Sequence, residues 1–335
     1  MKRIPKVETY EFYLDVAAAR AKKRAADVKQ GFTGKMNLFH HKQIELARIT
    51  VFGDKLIDLL KDIIESFPNL DNLPPFYLEL VKLTTDYREL KKSLAALQWA
   101  IGQLSTFQRS TQHKIKASRE VPTVSVHRRA AYGRMMSIVK QIRKQFEYLE
   151  HCRKIFVEYP SLKEMFTVCI AGFPNVGKST LLSKLTPATP EIADYAFTTK
   201  ALNLGYGKFQ HQKVQFVDTP GTLNRIDKMN MVEKQAYLAL NYVANIIVYV
   251  FDLTPQATAT IEEQIELFAQ VHTYQKPMVI YFSKTDLLEV GVVERFIGSH
   301  KDLKAIACCN EIEELQDIVN VKLKEQLKGS AQSYQ

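Results

Sequence analysis

A pattern that is typical of phosphate-binding loops lies near the middle of the chain. Residues 172–179 match G-x-x-x-x-G-K-S, with an apolar run before the pattern and a helical stretch after it. This is the context that the motif requires, because the backbone N–H groups of the loop and the helix N-terminus face phosphate oxygens. Lys178 would neutralise charge on the β- and γ-phosphates, and Ser179 would bind Mg²⁺. The predicted nucleotide contacts of the loop are Gly172, Asn175, Val176, Gly177, Lys178, Ser179 and Thr180.

Two acidic motifs follow apolar runs farther along the chain. In D-T-P-G at 218–221, the Asp218 carboxylate can hold Mg²⁺ through water and the Gly221 N–H can contact the γ-phosphate. In S-K-T-D at 283–286, Asp286 can accept two hydrogen bonds from the N1–H and N2–H₂ edge of guanine. Adenine does not present this edge, so the sequence predicts a guanine nucleotide. The base contacts predicted from this motif are Ser283, Lys284 and Asp286.

The order and spacing of the three motifs resemble those of the P-loop GTPases related to translation factors. Between the first two motifs, residues 193–199 resemble switch I of the Obg-related GTPases, in which two threonines follow an aromatic residue. The resemblance implies that Thr199 reaches Mg²⁺ and the γ-phosphate, with Thr198 as the alternative and Phe197 beside them. It also implies a base-binding loop after the last strand, near Ala307-Cys308, where the family usually has Ser-Ala. The catalytic residues that it implies are Lys178, Thr199 and Gly221.

The second half of the chain alternates short apolar runs with helical stretches. The runs predict strands at 166–171, 213–217, 245–251 and 277–282, and the stretches predict helices at 179–185, 231–244, 258–275 and 311–328. This alternation is typical of an α/β domain with a mostly parallel sheet and helices on both faces. We expect this domain at 161–330, followed by a short polar tail, 331–335, that frays.

The first 160 residues predict an all-α domain. Apolar residues recur every three or four positions over 83–104, which predicts one long helix that begins at Pro74-Pro75. Similar stripes predict helices over about 8–30, over 49–67, and from Pro122 to about Leu149. Because each stripe must be buried and the connections are short, the helices are expected to form a bundle with at least one long antiparallel pair.

The net charge is distributed unevenly between the two halves. Residues 1–165 carry 30 Lys and Arg against 18 Asp and Glu, so the whole net charge of +10 comes from the helical half. This asymmetry favours a polyanionic partner, and without a compact base-reading motif we expect phosphate and shape contacts with structured RNA and no DNA partner. The alternative is that the charges form solvated helix faces. The cations predicted to bind RNA are Lys22, Lys23, Arg24, Lys114, Lys116, Arg119, Arg128, Arg129, Arg134, Lys140, Arg143 and Lys144.

Nearly the whole chain resembles the nucleolar GTP-binding protein 1 family of Obg-related GTPases. Like that family, it joins a helical domain to a domain with G-x-P-N-V-G-K-S, D-T-P-G and paired switch threonines, and it stops after that domain as the short archaeal form does. The resemblance implies a GTPase that uses GTP, GDP and Mg²⁺ in assembly of the large ribosomal subunit. The implied partners are that subunit or its precursor, rRNA and ribosomal proteins. The alternative is a GTPase switch whose helical domain binds another protein or an anionic membrane surface.

Three positions are distinctive within this pattern. Thr222 stands where many small GTPases have a glutamine that orients water, and threonine is shorter, so slow intrinsic hydrolysis is expected. Asn175 occupies the position that coordinates K⁺ in some relatives with G-x-P-N, although it can equally serve hydrogen bonds within the loop. Ser283 stands where asparagine is usual. Serine can keep one of the two bonds that asparagine makes, so a modest nucleotide affinity is expected.

Further features of the sequence indicate where in the cell the protein is located. The longest apolar run, 242–253, is too short to span a membrane, and the N-terminus lacks the apolar core of a signal peptide. The four cysteines include no C-x-x-C pair, which favours buried thiols in a reducing compartment over disulfides or zinc ligands. Together these features predict a cytoplasmic protein without a membrane span.

Overall fold

The computed structural model describes residues 4–186, 202–209, 212–219, 231–300 and 303–332, which fall into two compact units. The first unit comprises Met1–Leu73 and Thr84–Tyr159, and the second comprises Pro74–Leu83 and Pro160–Gln335. The second unit therefore includes a short segment, 74–83, that the boundary expected from the sequence would assign to the helical domain.

Helices make up most of the first half of the chain. They are α1 (Tyr10–Gln30), α2 (Leu38–Ser66), α3 (Pro75–Thr84), α4 (Tyr87–Ala117), α5 (Val121–Gln141) and α6 (Arg143–Val157). All except α3 lie in the first unit, where α1 packs on α2, α2 on α4 and α4 on α5. Their apolar stripes are buried: Leu90 and Leu104 are fully shielded from solvent, and Phe52 stacks on Tyr132 with ring centroids 4.4 Å apart. The predicted helical fold is confirmed.

The prediction of a single long helix that begins at Pro74-Pro75 is wrong, because the chain forms two helices, α3 and α4, in its place. The Asp86 side chain accepts hydrogen bonds from the backbone N–H groups of Arg88 and Glu89, both at 3.0 Å. A carboxylate that caps N–H groups in this way begins a new helix. The apolar stripe continues across the break, so periodicity alone does not reveal it.

The helix expected after Pro122 is also interrupted. Ile142 has φ −97° and ψ 18°, and it ends α5 and begins α6. Its side chain is 3% exposed, and Phe146 is 1% exposed, so both belong to the same core as the preceding stripe. Burial on both sides of the break explains why the sequence pattern reads as one helix.

The second unit is built around a six-stranded sheet. Its strands are β1 (Thr167–Ala171), β2 (Asn203–Phe209), β3 (Gln212–Asp218), β4 (Ile246–Asp252), β5 (Met278–Ser283) and β6 (Ala307–Cys309). The strand order is β2-β3-β1-β4-β5-β6; β2 pairs antiparallel with β3, and all other pairs are parallel. The helices are α7 (Lys178–Leu185), α8 (Met231–Leu238), α9 (Ile261–His272), α10 (Val292–Ser299) and α11 (Ile312–Gln332).

Helices cover both faces of this sheet. On one face, Leu182 of α7 and Leu315 of α11 join a buried cluster with the strand residues Val168 and Val248. On the other face, Phe251 packs against Phe268 of α9 and Phe296 of α10. The predicted fold class, a mostly parallel α/β domain preceded by a helical domain, is confirmed.

Strands β2 and β6 and helix α10 were not predicted. In β2, Gly205 and Gly207 interrupt the apolar pattern that would mark a strand. A Cβ atom on Gly205 would lie 2.6 Å from Thr186 Cγ2, so close packing beside α7 requires glycine there. β6 has three residues, which is too short a run to be recognised by alternation.

The C-terminal helix is longer than predicted. α11 continues to Gln332, so residues 331 and 332 lie in this helix, whereas 333–335 lie outside the described residues and the fraying of the tail remains a prediction. One glycine costs a helix only about 1 kcal/mol, and no proline follows to end it. Neither α11 nor any other helix in the described ranges is both long enough and apolar enough to cross a bilayer.

Candidate nucleotide site

The phosphate-binding pattern forms a tight loop between β1 and α7. Gly172 and Gly177 have φ angles of 145° and 98°, which side-chain-bearing residues rarely adopt. A Cβ atom on Gly172 would lie 2.6 Å from the Val250 carbonyl oxygen, so the loop can pass this close to β4 only with glycine. The loop therefore presents its backbone N–H groups at the carboxyl end of the sheet, where ligands of open α/β sheets bind.

Lys178 is the first residue of α7 and is 7% exposed. Its Nζ donates a hydrogen bond of 2.6 Å to the Phe173 carbonyl oxygen, which keeps the ammonium group inside the loop. Burial lowers the pKa of Lys178 to about 8, although the nearby Asp218 carboxylate acts in the opposite direction. A buried ammonium group with a neutral partner gains strongly from an anionic ligand such as a phosphate.

Ser179 and Asp218 meet beside this lysine. The Ser179 hydroxyl donates to Asp218 Oδ2 at 2.5 Å, and Asn203 Nδ2 donates to the same oxygen at 3.2 Å. The other carboxylate oxygen, Asp218 Oδ1, is buried and has no hydrogen-bond partner among the described residues. Hydroxyl and carboxylate oxygens are the ligands that Mg²⁺ prefers, so this pair fits the ion. Asn203 was missed because β2 was not predicted.

The S-K-T-D motif joins the end of β5 to the phosphate-binding loop. The Ser283 hydroxyl donates to the Val176 carbonyl oxygen at 2.6 Å, so serine keeps a link to the loop as expected. Lys284 Nζ donates to the Asn175 carbonyl oxygen at 3.1 Å. Asp286 is exposed in a 3₁₀ turn at Thr285–Leu287, and its contact with a guanine base remains a prediction.

Asp252, which the sequence analysis missed, anchors this second motif. It ends β4, is 1% exposed, and accepts a 2.5 Å hydrogen bond from Lys284 Nζ. Burial alone would raise its pKa, but the hydrogen bonds from Lys284 and Thr254 outweigh burial and hold the pKa below its ordinary value. The signal was present in the sequence, because Asp252 ends an apolar run just as Asp218 does.

The residues predicted for the base-binding loop lie in a strand of the sheet. Ala307 and Cys308 lie within β6, where they pair with Val279 and Ile280 of β5. Continuing that register by two residues beyond the Tyr281–Cys309 pair brings Glu311 level with Ser283 at the end of β5. Asn310 and Glu311, between β6 and α11, also lie toward this end of the sheet, and the predicted base contacts of Ala307 and Cys308 remain predictions.

Several predicted site residues lie outside the described residues. They are Phe197, Thr198, Thr199, Gly221 and Thr222. Their predicted contacts with Mg²⁺, the γ-phosphate and water therefore remain predictions. Within the described residues, three separate motifs converge at the carboxyl ends of β1, β3 and β5, as the order of the strands requires.

Two families match successive parts of the chain. Residues 1–163 match the NOG1 N-terminal helical domain, and residues 167–284 match the 50S ribosome-binding GTPase family. The uncharacterized protein MJ1408 of Methanocaldococcus jannaschii is 37% identical over 248 residues, covering 73% of this chain and 70% of that protein. Nucleolar GTP-binding protein 1 of Kluyveromyces lactis is 31% identical over 293 residues, covering 86% of this chain.

The chain belongs to the nucleolar GTP-binding protein 1 family. The expectation from the sequence is thereby confirmed, and the second unit carries the GTPase domain of this family, which implies guanine nucleotide binding. The chain spans 45% of the Kluyveromyces lactis protein and 44% of the Saccharomyces cerevisiae nucleolar GTP-binding protein 1.

Solved structures of GTPase domains are also similar to part of the chain. The FeoB G-domain of Methanococcus jannaschii covers 48% of the chain at 21% identity and a TM-score of 0.36. An Aquifex aeolicus Era variant bound to GDP and AlF₄⁻ covers 47% at 25% identity and a TM-score of 0.36. At these TM-scores the likeness decides nothing further, and the family assignment rests on the sequence relatives.

The cations predicted to bind RNA lie on α1, α4, α5 and α6 or in the connections between them. Eleven of the twelve are exposed, and within the described ranges none of these eleven forms an ion pair. Arg128 differs: it is half-buried and its Nε lies 3.7 Å from Glu45 Oε2, so it helps to join α5 to α2. Its predicted role in RNA binding is thus the weakest of the set.

We expect Ser283→Ala to weaken GTP binding by about fivefold, because it removes the hydroxyl that joins β5 to the phosphate-binding loop. Ser283→Asn should bind GTP more tightly than Ser283→Ala, since asparagine can link both the loop and the base. Calorimetric titration with GTP measures the affinities of both variants. Ser183→Ala, at an exposed serine of α7, is the matched control, and an affinity for Ser283→Ala equal to that of the wild type would contradict the prediction.

Proposed function

We propose that this protein is a slow GTPase switch that acts in assembly of the large ribosomal subunit and docks on rRNA through its helical unit. The observation that carries the proposal is a set of eleven exposed cations on the helical unit that form no ion pair with any described residue, in a chain whose GTPase domain is near neutral. The family name refers to the nucleolus, and the GTPase domain matches a family described as ribosome-binding. These support a ribosomal partner.

In this proposal each residue of the nucleotide site has a separate role in GTP hydrolysis. Ser179 and Asp218 would hold Mg²⁺, which would neutralise phosphate charge when it is bound. Lys178 exchanges its carbonyl partner for the β- and γ-phosphates. Thr199 and Gly221 are proposed to contact the γ-phosphate. With Thr222 in place of a glutamine, no side chain at that position orients the attacking water at the same reach, which supports a low intrinsic rate.

Co-sedimentation with large ribosomal subunits or their precursors tests the proposal. Purified full-length protein is mixed with the particles in GTP, GDP or a non-hydrolysable GTP analogue across a salt series. We expect the GTP-analogue form to sediment with the particles and the GDP form to be released, because the γ-phosphate orders the switch segments. Binding should fall steeply with salt, as phosphate contacts release counterions. Failure to co-sediment in every nucleotide state at low salt would refute the proposal.

A matched pair of variants identifies the docking surface. Arg129→Ala/Arg134→Ala/Lys140→Ala removes three exposed cations from α5, and Lys208→Ala/Lys304→Ala/Lys324→Ala removes three exposed cations from the second unit. Only the first variant should lose binding. An equal loss of particle binding in both variants would show a general charge effect. Binding that does not change with salt or in either variant would favour a protein partner. Co-flotation with anionic vesicles, in the absence of RNA binding, would favour the membrane alternative.

We also propose that Asn175 helps to bind K⁺ during hydrolysis. Within the described residues its side chain makes no hydrogen bond, so bonds within the loop do not account for it. Its φ of 63° gives a competing reason for asparagine, which tolerates this left-handed conformation better than most residues. An experiment must therefore separate the effect of the Asn175 side chain from that of its backbone conformation.

We expect exchange of Na⁺ for K⁺ to raise the turnover of the wild type by about tenfold or more, since a cation near the β- and γ-phosphates acts like an arginine finger. Asn175→Gly keeps the backbone conformation but removes the side-chain oxygen, so it should hydrolyse GTP equally slowly in both salts. Phosphate release is measured with and without large subunits. Turnover of the wild type that is the same in Na⁺ and K⁺ under both conditions would rule out the site.

A further inference from the structure

A shallow, open cleft lies in the first unit at the elbow between α4 and α5. Its volume is about 480 Å³, and its lining includes Lys114, Ser118, Arg119, Glu120, Thr123 and His127. The elbow is fixed by short contacts: the Ser118 hydroxyl donates to the Lys114 carbonyl oxygen at 2.9 Å, and Lys42 Nζ donates to the Lys116 carbonyl oxygen at 2.7 Å. The carbonyl groups at the end of α4 are therefore partly satisfied from within the protein, whereas the cleft itself remains open.

Several residues with hydrogen-bond donors line this cleft. Lys114 and Arg119 are exposed, and neither forms an ion pair in the part of the chain that the structure describes. Thr123 has a hydroxyl and a backbone N–H without partners in that part, because the first bond of α5 runs from Val124 N to the Glu120 carbonyl oxygen. His127 lies one turn farther along α5 and adds a ring N–H. Two cations with several neutral donors fit a phosphate group.

Glu120 makes this cleft unlike a simple anion site. It is the residue before α5, but its side chain does not cap the helix. A carboxylate beside a bound phosphate repels it, and a hydrogen-bond donor on the same ligand would offset that repulsion. The backbone of RNA supplies one, since each ribose carries a 2′-hydroxyl close to the phosphodiester, and DNA lacks this group.

We propose that the elbow cleft binds one stretch of RNA backbone, with Lys114, Arg119 and Thr123 on a phosphodiester and Glu120 accepting a hydrogen bond from a ribose 2′-hydroxyl. The inference rests on the proposed docking on rRNA and makes it specific. The cleft then supplies selectivity for RNA over DNA, because contacts of the other exposed cations with phosphates alone do not distinguish the two. Glu120 is a specificity-determining residue in this arrangement.

The cation arm of the test uses the full-length protein and a hairpin made both as RNA and as DNA of the same sequence. We expect Lys114→Ala/Arg119→Ala to bind the RNA hairpin about tenfold or more weakly and to lower the salt slope of log K by about 1–2, as lost phosphate contacts require. Lys61→Ala/Arg88→Ala removes the same charge from exposed positions of the first unit that lie outside the cleft and outside the set of cations predicted to bind RNA. Equal losses from the two pairs would overturn the inference, while RNA binding by the wild type would leave the proposed function standing.

The Glu120 arm separates hydrogen bonding from general electrostatics. Removing a negative charge should strengthen binding to RNA and DNA equally if Glu120 only repels phosphates. If Glu120 bonds to the 2′-hydroxyl, Glu120→Ala should lower the ratio of RNA to DNA affinity by about fivefold, the value of one hydrogen bond. Glu147→Ala on α6 is the matched control for loss of an acid. An unchanged ratio in Glu120→Ala would overturn the inference, and absence of RNA binding by the wild type would instead refute the proposed docking itself.

Discussion

Replacing Lys178 by methionine is expected to weaken GTP binding by about 100-fold while raising the stability of the nucleotide-free protein. The loss of affinity follows from removing the charge-assisted hydrogen bonds to phosphate, each of which contributes about 1.5–3 kcal/mol. The gain in stability follows from burial, which lowers the pKa of Lys178 to about 8. A group that is harder to protonate in the folded state than in the unfolded state destabilises the fold when it is charged.

The sign of the pH dependence can be worked out from this pKa. Between pH 8 and the ordinary lysine pKa of 10.5, the unfolded chain binds more protons at Lys178 than the folded protein does. The free energy of unfolding of the nucleotide-free wild type should therefore gain a favourable contribution as pH rises through this window, and Lys178→Met should lack it. GTP affinity should change the other way, falling above pH 8, because phosphate binds the protonated amine.

Calorimetric titration with GTP and denaturant unfolding without nucleotide measure these two effects. At neutral pH we expect Lys178→Met to raise the free energy of unfolding by about 1–3 kcal/mol, since each unit of pKa shift corresponds to about 1.4 kcal/mol. Lys184→Met on the same helix is the matched control, because Lys184 is exposed, and it should change neither quantity appreciably. A Lys178→Met protein that is less stable than the wild type would contradict the account of the buried ammonium group.

Asp286→Asn is expected to lower GTP affinity by about 100-fold or more and to create binding of xanthosine triphosphate. The carboxylate accepts bonds from N1–H and N2–H₂ of guanine, whereas the asparagine amide places a donor where N2–H₂ also donates. Xanthine has a carbonyl oxygen at that position, so the donor regains a partner. Sites that hydrogen-bond a ligand group discriminate strongly against ligands that leave the site unpaired.

Competition of GTP, xanthosine triphosphate and ATP for a fluorescent nucleotide measures this exchange of specificity. Asp286 is exposed in its turn, so the substitution should leave the unfolding transition unchanged. Glu289→Gln, three residues farther on and also exposed, is the control for loss of one acid. If Asp286→Asn keeps its preference for GTP over xanthosine triphosphate, Asp286 does not contact the base.

The fold could be predicted where burial imposes a regular pattern on the sequence. The strands β1, β4 and β5 are mostly buried runs of apolar residues, β3 has a buried second half, and the helices carry continuous apolar stripes. The breaks at Asp86 and Ile142 could not be predicted from periodicity, because the stripes continue through them. Strand β2 could not be predicted because its glycines interrupt the apolar pattern. These glycines are required for close packing against α7, and that contact depends on the tertiary structure.

The nucleotide site could be predicted where a motif is continuous in sequence. The loop with Lys178, the end of β3 with Asp218 and the end of β5 with Ser283 come together as expected. Residues that support the site from other elements could not be found in this way. Asn203 and Asp252 act through hydrogen bonds to Asp218 and Lys284 that join different strands.

The chain passes between the two compact units three times, near residues 73, 83 and 159, because α3 belongs to the second unit. Tyr77 on this helix exchanges hydrogen bonds with the segment after the last crossing: its hydroxyl donates to the Pro160 carbonyl oxygen at 2.8 Å and accepts from Leu162 N at 2.9 Å. A protease that cuts the chain once, after Tyr159, would therefore leave α3 in the N-terminal fragment, although this helix belongs to the compact unit formed by the C-terminal fragment. A GTPase domain produced from residue 160 onward would lack part of its own fold, and supplying residues 74–83 as a separate peptide would be a way to restore it.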